Sequence, residues 1–261
     1  MLSSVVAVLT VGCSFVARSV GHLAQSGFKP TGPMTSSLRS VPTFDKVDAG
    51  QSYEVDIRFG PTPSVTIEAP KDLLPHLTTS VSGGTLKLGA DTSYSLDNRN
   101  AVKAHIVVTH LTGVSASGAS RMVIKDPIAE TSFVATAAGA SNLSLSANVD
   151  SFKLEIDGAA RASINRLKAQ TLDIKASGAS NCDISGSASK GQIESEGAST
   201  ISGKGLSIDK ASITGNGAST TEIRVTADLK ANATGASTIR YLGNPKASRD
   251  TAGSSSITQI N

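Results

Sequence analysis

One short motif, Gly-Ala-Ser or a close variant, recurs along much of this chain at nearly even spacing. Its copies read SGASRM, AGASNL, DGAARA, SGASNC, EGASTI, NGASTT, TGASTI and AGSSSI. Successive repeat glycines are 18 to 21 residues apart, and they are Gly118, Gly139, Gly158, Gly178, Gly197, Gly217, Gly235 and Gly253. A unit of this length cannot bury its own apolar face, so the repeats are predicted to stack on one another as a solenoid.

Apolar and polar residues alternate on both sides of the repeat glycines. Phe152, Leu154 and Ile156 precede one glycine at intervals of two, and Leu143 and Leu145 follow another. A period of two is typical of a strand with one buried face. A further apolar residue lies nine or ten places after several of the glycines. Each repeat is therefore predicted to hold about three short strands and no helix.

These features predict an all-β fold, a right-handed parallel β-helix with about 19–20 residues in each coil. Right-handed crossover is the general preference for parallel strands, and the strict six-residue period of left-handed β-helices is absent. The repeat glycines are predicted to form the corners, because glycine adopts positive φ and lets two backbones approach closely. Residues 43–261 would supply roughly eleven coils.

Composition fits a thin core and argues against several classes of function. Only 3% of the residues are aromatic and tryptophan is absent. The net charge is +3, and the lysines and arginines are scattered along the chain. Nucleic-acid binding favours a basic stripe with interleaved aromatics. The four histidines, His22, His76, His105 and His110, have no metal-ligand spacing. The sequence predicts no cofactor, no metal, no catalytic residues and no nucleic-acid partner.

Residues 1–27 are predicted to be an export leader and the start of a tether. Met1–Gly12 is apolar and uncharged, which suits a signal-peptide core and is too short to span a bilayer. The Thr-Val-Gly tripeptide before Cys13 resembles a lipobox, in which the cysteine is lipidated. The alternative is a plain secretory leader removed before Phe28. The mature chain is expected to meet a membrane only through such a lipid anchor.

The remaining chain is predicted to form a tether and one domain. Residues 28–42, rich in Ser, Gly and Pro, are assigned to the tether. Residues 43–113 are interpreted as irregular early coils, and residues 114–261 as regular coils of the same β-helix. Cys182 has no disulfide partner and occupies a repeat position otherwise held by apolar residues, so we expect it to be buried.

Several phrases resemble a known bacterial family. The order FDKVDAGQSYEVDIRFGPTPSVTIEAPKDLLPHL, then SGGTLKLGA, then serial GAS corners, then STIRYLGNP is similar to the auto-transporter adhesin family with the head GIN domain. The resemblance covers about Pro42 to Ile260. It implies a parallel β-helix in an exported or lipid-anchored protein of the cell envelope. It implies no catalytic residues.

Two sets of polar residues are candidates for function. The third position after the glycine carries a hydroxyl ladder in the last four repeats, formed by Thr200, Thr220, Thr238 and Ser256. Acidic columns contain Glu155, Asp157, Glu194 and Glu196. The ladder favours adhesion or binding, with a glycan or a surface protein as partner. The acidic columns leave open a carbohydrate-active enzyme, and a purely structural envelope protein is the third alternative. The oligomeric state is left open.

Overall fold

The computed structural model describes residue 30, residues 32–91 and residues 102–261. The predicted leader, residues 1–27, and the lipidation candidate Cys13 lie outside the described residues. The described chain forms nineteen strands and one short 3-10 turn, Leu74–His76. The strands are β1 Met34–Arg39, β2 Lys46–Ala49, β3 Tyr53–Phe59, β4 Ser64–Pro70, β5 Leu77–Ser82, β6 Thr85–Ala90, β7 Val102–Val108, β8 Gly113–Ala116, β9 Arg121–Ile124, β10 Ile128–Ala137, β11 Asn142–Leu145, β12 Ala147–Ile156, β13 Arg161–Ala176, β14 Asn181–Ser195, β15 Thr200–Gly215, β16 Thr220–Ala233, β17 Thr238–Leu242, β18 Lys246–Thr251 and β19 Ser256–Gln259.

From β8 onward the strands stack in parallel, each on the equivalent strand of the next coil. The alternating apolar residues point inward and form one continuous core. Phe133 and Phe152 stack in this core with ring centroids 6.1 Å apart. The predicted parallel β-solenoid is confirmed. Over the described residues, no helix is long and apolar enough to cross a membrane.

The repeat glycines line one edge of the solenoid as a single column. Each has φ between +67° and +78°. From Gly139 to Gly253, a Cβ would lie 2.7–2.9 Å from the carbonyl oxygen of the preceding repeat glycine. That carbonyl accepts a hydrogen bond from the residue after the glycine, as from Ala198 N–H to Gly178 at 2.7 Å. The corner therefore needs glycine for its conformation and for the close approach of the next coil.

The serine of the motif has a structural role that the sequence pattern did not indicate. Its side chain is buried, and in most repeats its hydroxyl donates a hydrogen bond to the carbonyl two residues before the preceding corner. Examples are Ser141 Oγ to Ala116 O at 3.0 Å and Ser237 Oγ to Gly215 O at 2.9 Å. The serine therefore ties each corner to the coil before it.

Residues 43–113 do not stack in chain order. Strands β2 and β3 lie between β6 and β7 on one side and β8 and β9 on the other, all in parallel. Beyond them, β5 and β4 pair antiparallel with β6 and β7. This segment folds back to cover one end of the core and does not simply add coils. The expectation of roughly eleven coils is therefore wrong, since the solenoid has about seven turns.

The predicted tether also needs correction. Met34–Arg39, within residues 28–42, forms β1 and pairs antiparallel with the edge of β4. Met34 and Leu38 are 51% and 73% exposed, so this strand buries little apolar surface. Backbone hydrogen bonds to an available edge hold it in place, and such bonds leave no hydrophobic signal in the sequence.

Replacing Gly197 with valine tests the corner. Valine must adopt a positive φ and its Cβ meets the Gly178 carbonyl, so we expect the free energy of unfolding to fall by about 3 kcal/mol or more. The control is Gly83→Val, because Gly83 has φ +57° but open space around its Cβ position. The Gly83→Val variant should lose only the stability that corresponds to the unfavourable positive φ, so its free energy of unfolding should fall by about 1–2 kcal/mol. Equal losses in denaturant unfolding would contradict the close-approach role of Gly197.

Replacing Ser237 with alanine tests the buried serine. The Gly215 carbonyl then loses one hydrogen bond, and we expect the free energy of unfolding to fall by about 1 kcal/mol. Ser202→Ala is the matched control, because Ser202 is exposed on the same solenoid. Its stability should stay within about 0.5 kcal/mol of the parent. If both variants unfold at the same denaturant concentration, the proposed tie between coils is not significant.

Candidate functional site

The four predicted ladder residues lie side by side on neighbouring strands. Thr200 pairs with Thr220, Thr220 with Thr238 and Thr238 with Ser256 in continuous parallel register. Their side chains point outward, the three threonines being half-buried and Ser256 exposed. Because parallel strands are about 4.8 Å apart, the hydroxyls form a straight row with that period.

A second polar row runs beside the ladder, two residues further along each strand. Its members pair in the same register and are Ser202, Glu222, Arg240 and Thr258. Glu222 also binds Lys204, with Nζ 3.3 Å from Oε1. We call the two rows together the hydroxyl face. This second row was not predicted, although the period of two after each glycine places it on the same side of the sheet.

The ladder changes chemistry along the solenoid axis. Before Thr200 the same row holds long amide and guanidinium side chains, and these are Arg121, Asn142, Arg161 and Asn181. After Thr200 every member carries a hydroxyl on a short side chain. The flat hydroxyl section therefore occupies the last four coils of the row.

The acidic columns form charge ladders along the outside of the solenoid. Glu155, Lys175 and Glu194 pair in register on three successive coils. Lys153 Nζ is 2.7 Å from Glu155 Oε1, and Lys175 Nζ is 3.2 Å from Glu194 Oε2. Hydrogen bonds from Gln192 and then from Lys175 lower the pKa of Glu194. This arrangement holds Glu194 as a carboxylate.

The second acidic pair lies at the corners. Ser177 Oγ donates to Asp157 Oδ1 at 2.6 Å, and this bond, with the Gly158 N–H, lowers the pKa of Asp157. Glu196 lies one coil beyond Ser177 and accepts a hydrogen bond from Asn216 at 3.5 Å. Glycoside cleavage requires a carboxylic acid that stays protonated near neutral pH. The lowered pKa values of Asp157 and Glu194 do not suit them to that role.

One histidine lies in a charged cluster near the covered end. His105 Nδ1 is 3.9 Å from Asp56 and its Nε2 is 3.5 Å from Glu68, while Lys125 Nζ is 2.9 Å from Asp56. Within residues 30, 32–91 and 102–261, no group of three or more His, Cys, Asp or Glu side chains is arranged to hold a metal ion. The cluster is a surface ion pair between Lys125 and Asp56 with the His105 imidazole beside it.

Cys182 is a packing residue. Its side chain is 1% exposed and lies in the core row that follows the corner glycines. Burial raises the pKa of its thiol to about 12. The thiol therefore stays protonated at neutral pH and takes no part in surface chemistry.

Comparison with known proteins supports the fold. A structure named "putative adhesin" from Parabacteroides distasonis is 20% identical, with a TM-score of 0.80 over 88% of this chain and 98% of that one. A "Putative lipid binding protein" from the same organism is 21% identical, with a TM-score of 0.81 over 89% and 98%. A "putative adhesin" from Parabacteroides merdae is 19% identical, with a TM-score of 0.81 over 90% and 99%. At these identities the likeness establishes the fold alone.

The sequence also matches one family over most of its length. The family described as "Putative auto-transporter adhesin, head GIN domain" matches residues 43–245. No curated protein matches the chain. Because the family match covers well over half of the 261 residues, this protein belongs to that auto-transporter adhesin head GIN domain family.

Proposed function

We propose that this protein is an exported, non-catalytic protein of the bacterial cell envelope that binds a repetitive neutral glycan through the hydroxyl face. The observation that carries the proposal is the in-register row from Thr200 to Ser256. A glycan chain presents its own hydroxyls at regular intervals. A row with a fixed period of about 4.8 Å can hydrogen-bond several successive sugar units at once.

The physical basis of this binding is repetition on a rigid support. A single exposed hydroxyl contributes little, because it exchanges one hydrogen bond with water for another. Several hydroxyls held on one sheet engage a polymer together, so the later contacts cost less entropy than the first. The solenoid holds these side chains on strands, where little ordering is needed on binding.

The family and its structural neighbours support a binding role. The family is described as an adhesin head domain, and the neighbours are named putative adhesins or, in one case, a putative lipid-binding protein. These names belong to the other proteins. They favour a surface-binding function over catalysis for this chain.

A triple substitution tests the hydroxyl face. Lysines at Thr200, Thr220 and Thr238 would project across the row and separate the glycan from the sheet. We expect saturable binding to an array of neutral bacterial polysaccharides to weaken about tenfold or more, as the loss of several hydrogen bonds implies.

The matched control puts three lysines on another hydroxyl row. Ser132, Ser151 and Thr171 are exposed and pair in register on a different part of the coil. Their replacement by lysine adds the same charge and should leave binding unchanged. An equal loss in both variants would count against the hydroxyl face. If the parent protein released sugar product from a polysaccharide and the Glu194→Gln variant did not, the protein would instead be an enzyme.

We also propose that Cys13 is a lipid anchor. Metabolic labelling with a fatty-acid probe should mark the parent protein and leave the Cys13→Ser variant unlabelled, because only the cysteine thiol accepts the lipid. A parent that carries no label and has a mature terminus beyond residue 20 would mean plain secretion.

A further inference from the structure

A groove with a lysine-rich rim lies on the face before the corner glycines, near the end of the solenoid formed by β18. It has a volume of about 500 Å³ and crosses β14, β15, β16 and β18. One wall is a row in continuous register, and it consists of Lys190, Lys210, Asp228 and Lys246. Lys230 rises from the opposite wall between Ser212 and Ser248. We call this feature the lysine groove.

The charges of the groove are not balanced by the protein. Lys210 Nζ lies 2.9 Å from Asp228, the one carboxylate in the lining. Among the residues that the structure describes, Lys190, Lys230 and Lys246 have no carboxylate within ion-pair distance. Lys190 and Lys210 also stand directly opposite each other on neighbouring strands, which is an unfavourable arrangement for like charges.

The neighbouring ladder on the same face follows a different pattern. Glu155, Lys175 and Glu194 alternate in sign from coil to coil, so the lysine of that column lies between two carboxylates. Lysines on an edge strand can also serve to prevent aggregation, which would explain Lys246 on β18. That explanation does not apply to Lys190, Lys210 and Lys230, because β14, β15 and β16 are paired on both sides.

The shape and lining of the groove restrict the anion it can hold. The groove runs along the solenoid axis for about 14 Å, three strand spacings from Lys190 to Lys246. Its floor is formed by positions such as Ala211 and Leu229, whose side chains are buried in the core. The surface that the groove exposes is mostly apolar, so the C–H faces of sugar rings can pack between the ammonium groups. No aromatic side chain lines it, so nucleic-acid bases have nothing to stack on.

We propose that the lysine groove binds a linear acidic polysaccharide. Successive sulfate or carboxylate groups of the polymer would meet the ammonium groups of Lys190, Lys230 and Lys246, while the polymer lies along the axis. The serine hydroxyls of the second wall can donate to sugar oxygens. This site is separate from the hydroxyl face, because the two lie on opposite sides of the corner glycines in each coil.

The test compares dextran sulfate with uncharged dextran of the same chain length by calorimetry. We expect the parent to bind dextran sulfate and not dextran, and binding to weaken as ionic strength rises. The double variant Lys190→Gln/Lys246→Gln should bind about tenfold more weakly, because two ion contacts with a linear polyanion are lost. The control Lys87→Gln/Lys168→Gln removes the same charge from exposed positions outside the groove. It should bind like the parent.

Other outcomes would overturn the proposal. Equal weakening in both double variants would mean a general charge effect with no groove. Single-stranded DNA that binds as tightly, with the same dependence on Lys190 and Lys246, would mean a polyanion patch without preference for sugars. Binding to phosphatidylglycerol vesicles without binding to dextran sulfate would mean a membrane contact. A Thr200→Val/Thr220→Val/Thr238→Val variant, which removes the hydroxyls without adding charge, should keep the parent's affinity for dextran sulfate. A failure of the hydroxyl face can therefore be told apart from a failure of the lysine groove.

Discussion

The close contact between glycine backbones at the corners is the constraint on which the rest of the solenoid depends. Each corner carbonyl receives an N–H from the next coil at 2.7 Å, which leaves no space for a Cβ at the following glycine. The buried serines add a second link at the same edge. Because every coil turns at this column, the strands between corners start in register. The in-register rows on either side of each corner follow from it, whereas register shifts farther from the corner, such as that between Gly203 and Ser207, absorb the differences in coil length.

That register turns single side chains into surfaces. A residue type repeated once per coil becomes a row with a period of about 4.8 Å, whatever its chemistry. Threonine and serine produce a neutral hydroxyl row after the corner, whereas lysine produces a cationic groove before it. The fold itself does not prescribe either chemistry. One solenoid therefore presents two chemically different faces, one neutral and one cationic.

The two ends of the solenoid are closed by different means. At one end the chain folds back, so that antiparallel strands β4, β5 and β1 cover the core. At the other end Arg249 lies over the ring of Tyr241, 5.4 Å from its centroid. A guanidinium packed on a buried aromatic ring covers apolar surface while it keeps its charge in water. Strand β18 is almost entirely exposed and polar, which is typical of an edge that resists further strand addition.

The sequence by itself determined the parallel solenoid, the corner role of the glycines, the buried Cys182 and the ladder from Thr200 to Ser256. These features follow from local periodicity, and a fixed repeat converts sequence spacing directly into spatial neighbours. Only the tertiary structure decided the order of strands β2 to β7 and the pairing of β1, because those contacts join segments with no common period. It alone also revealed the hydrogen bonds of the motif serines. The row of Lys190, Lys210 and Lys246 was also open to prediction, since each lies seven residues before a repeat glycine. Only the structure shows that Lys230, five residues before Gly235, stands on the opposite wall of one groove, because the shape of the surface between two rows is set by the packed coils.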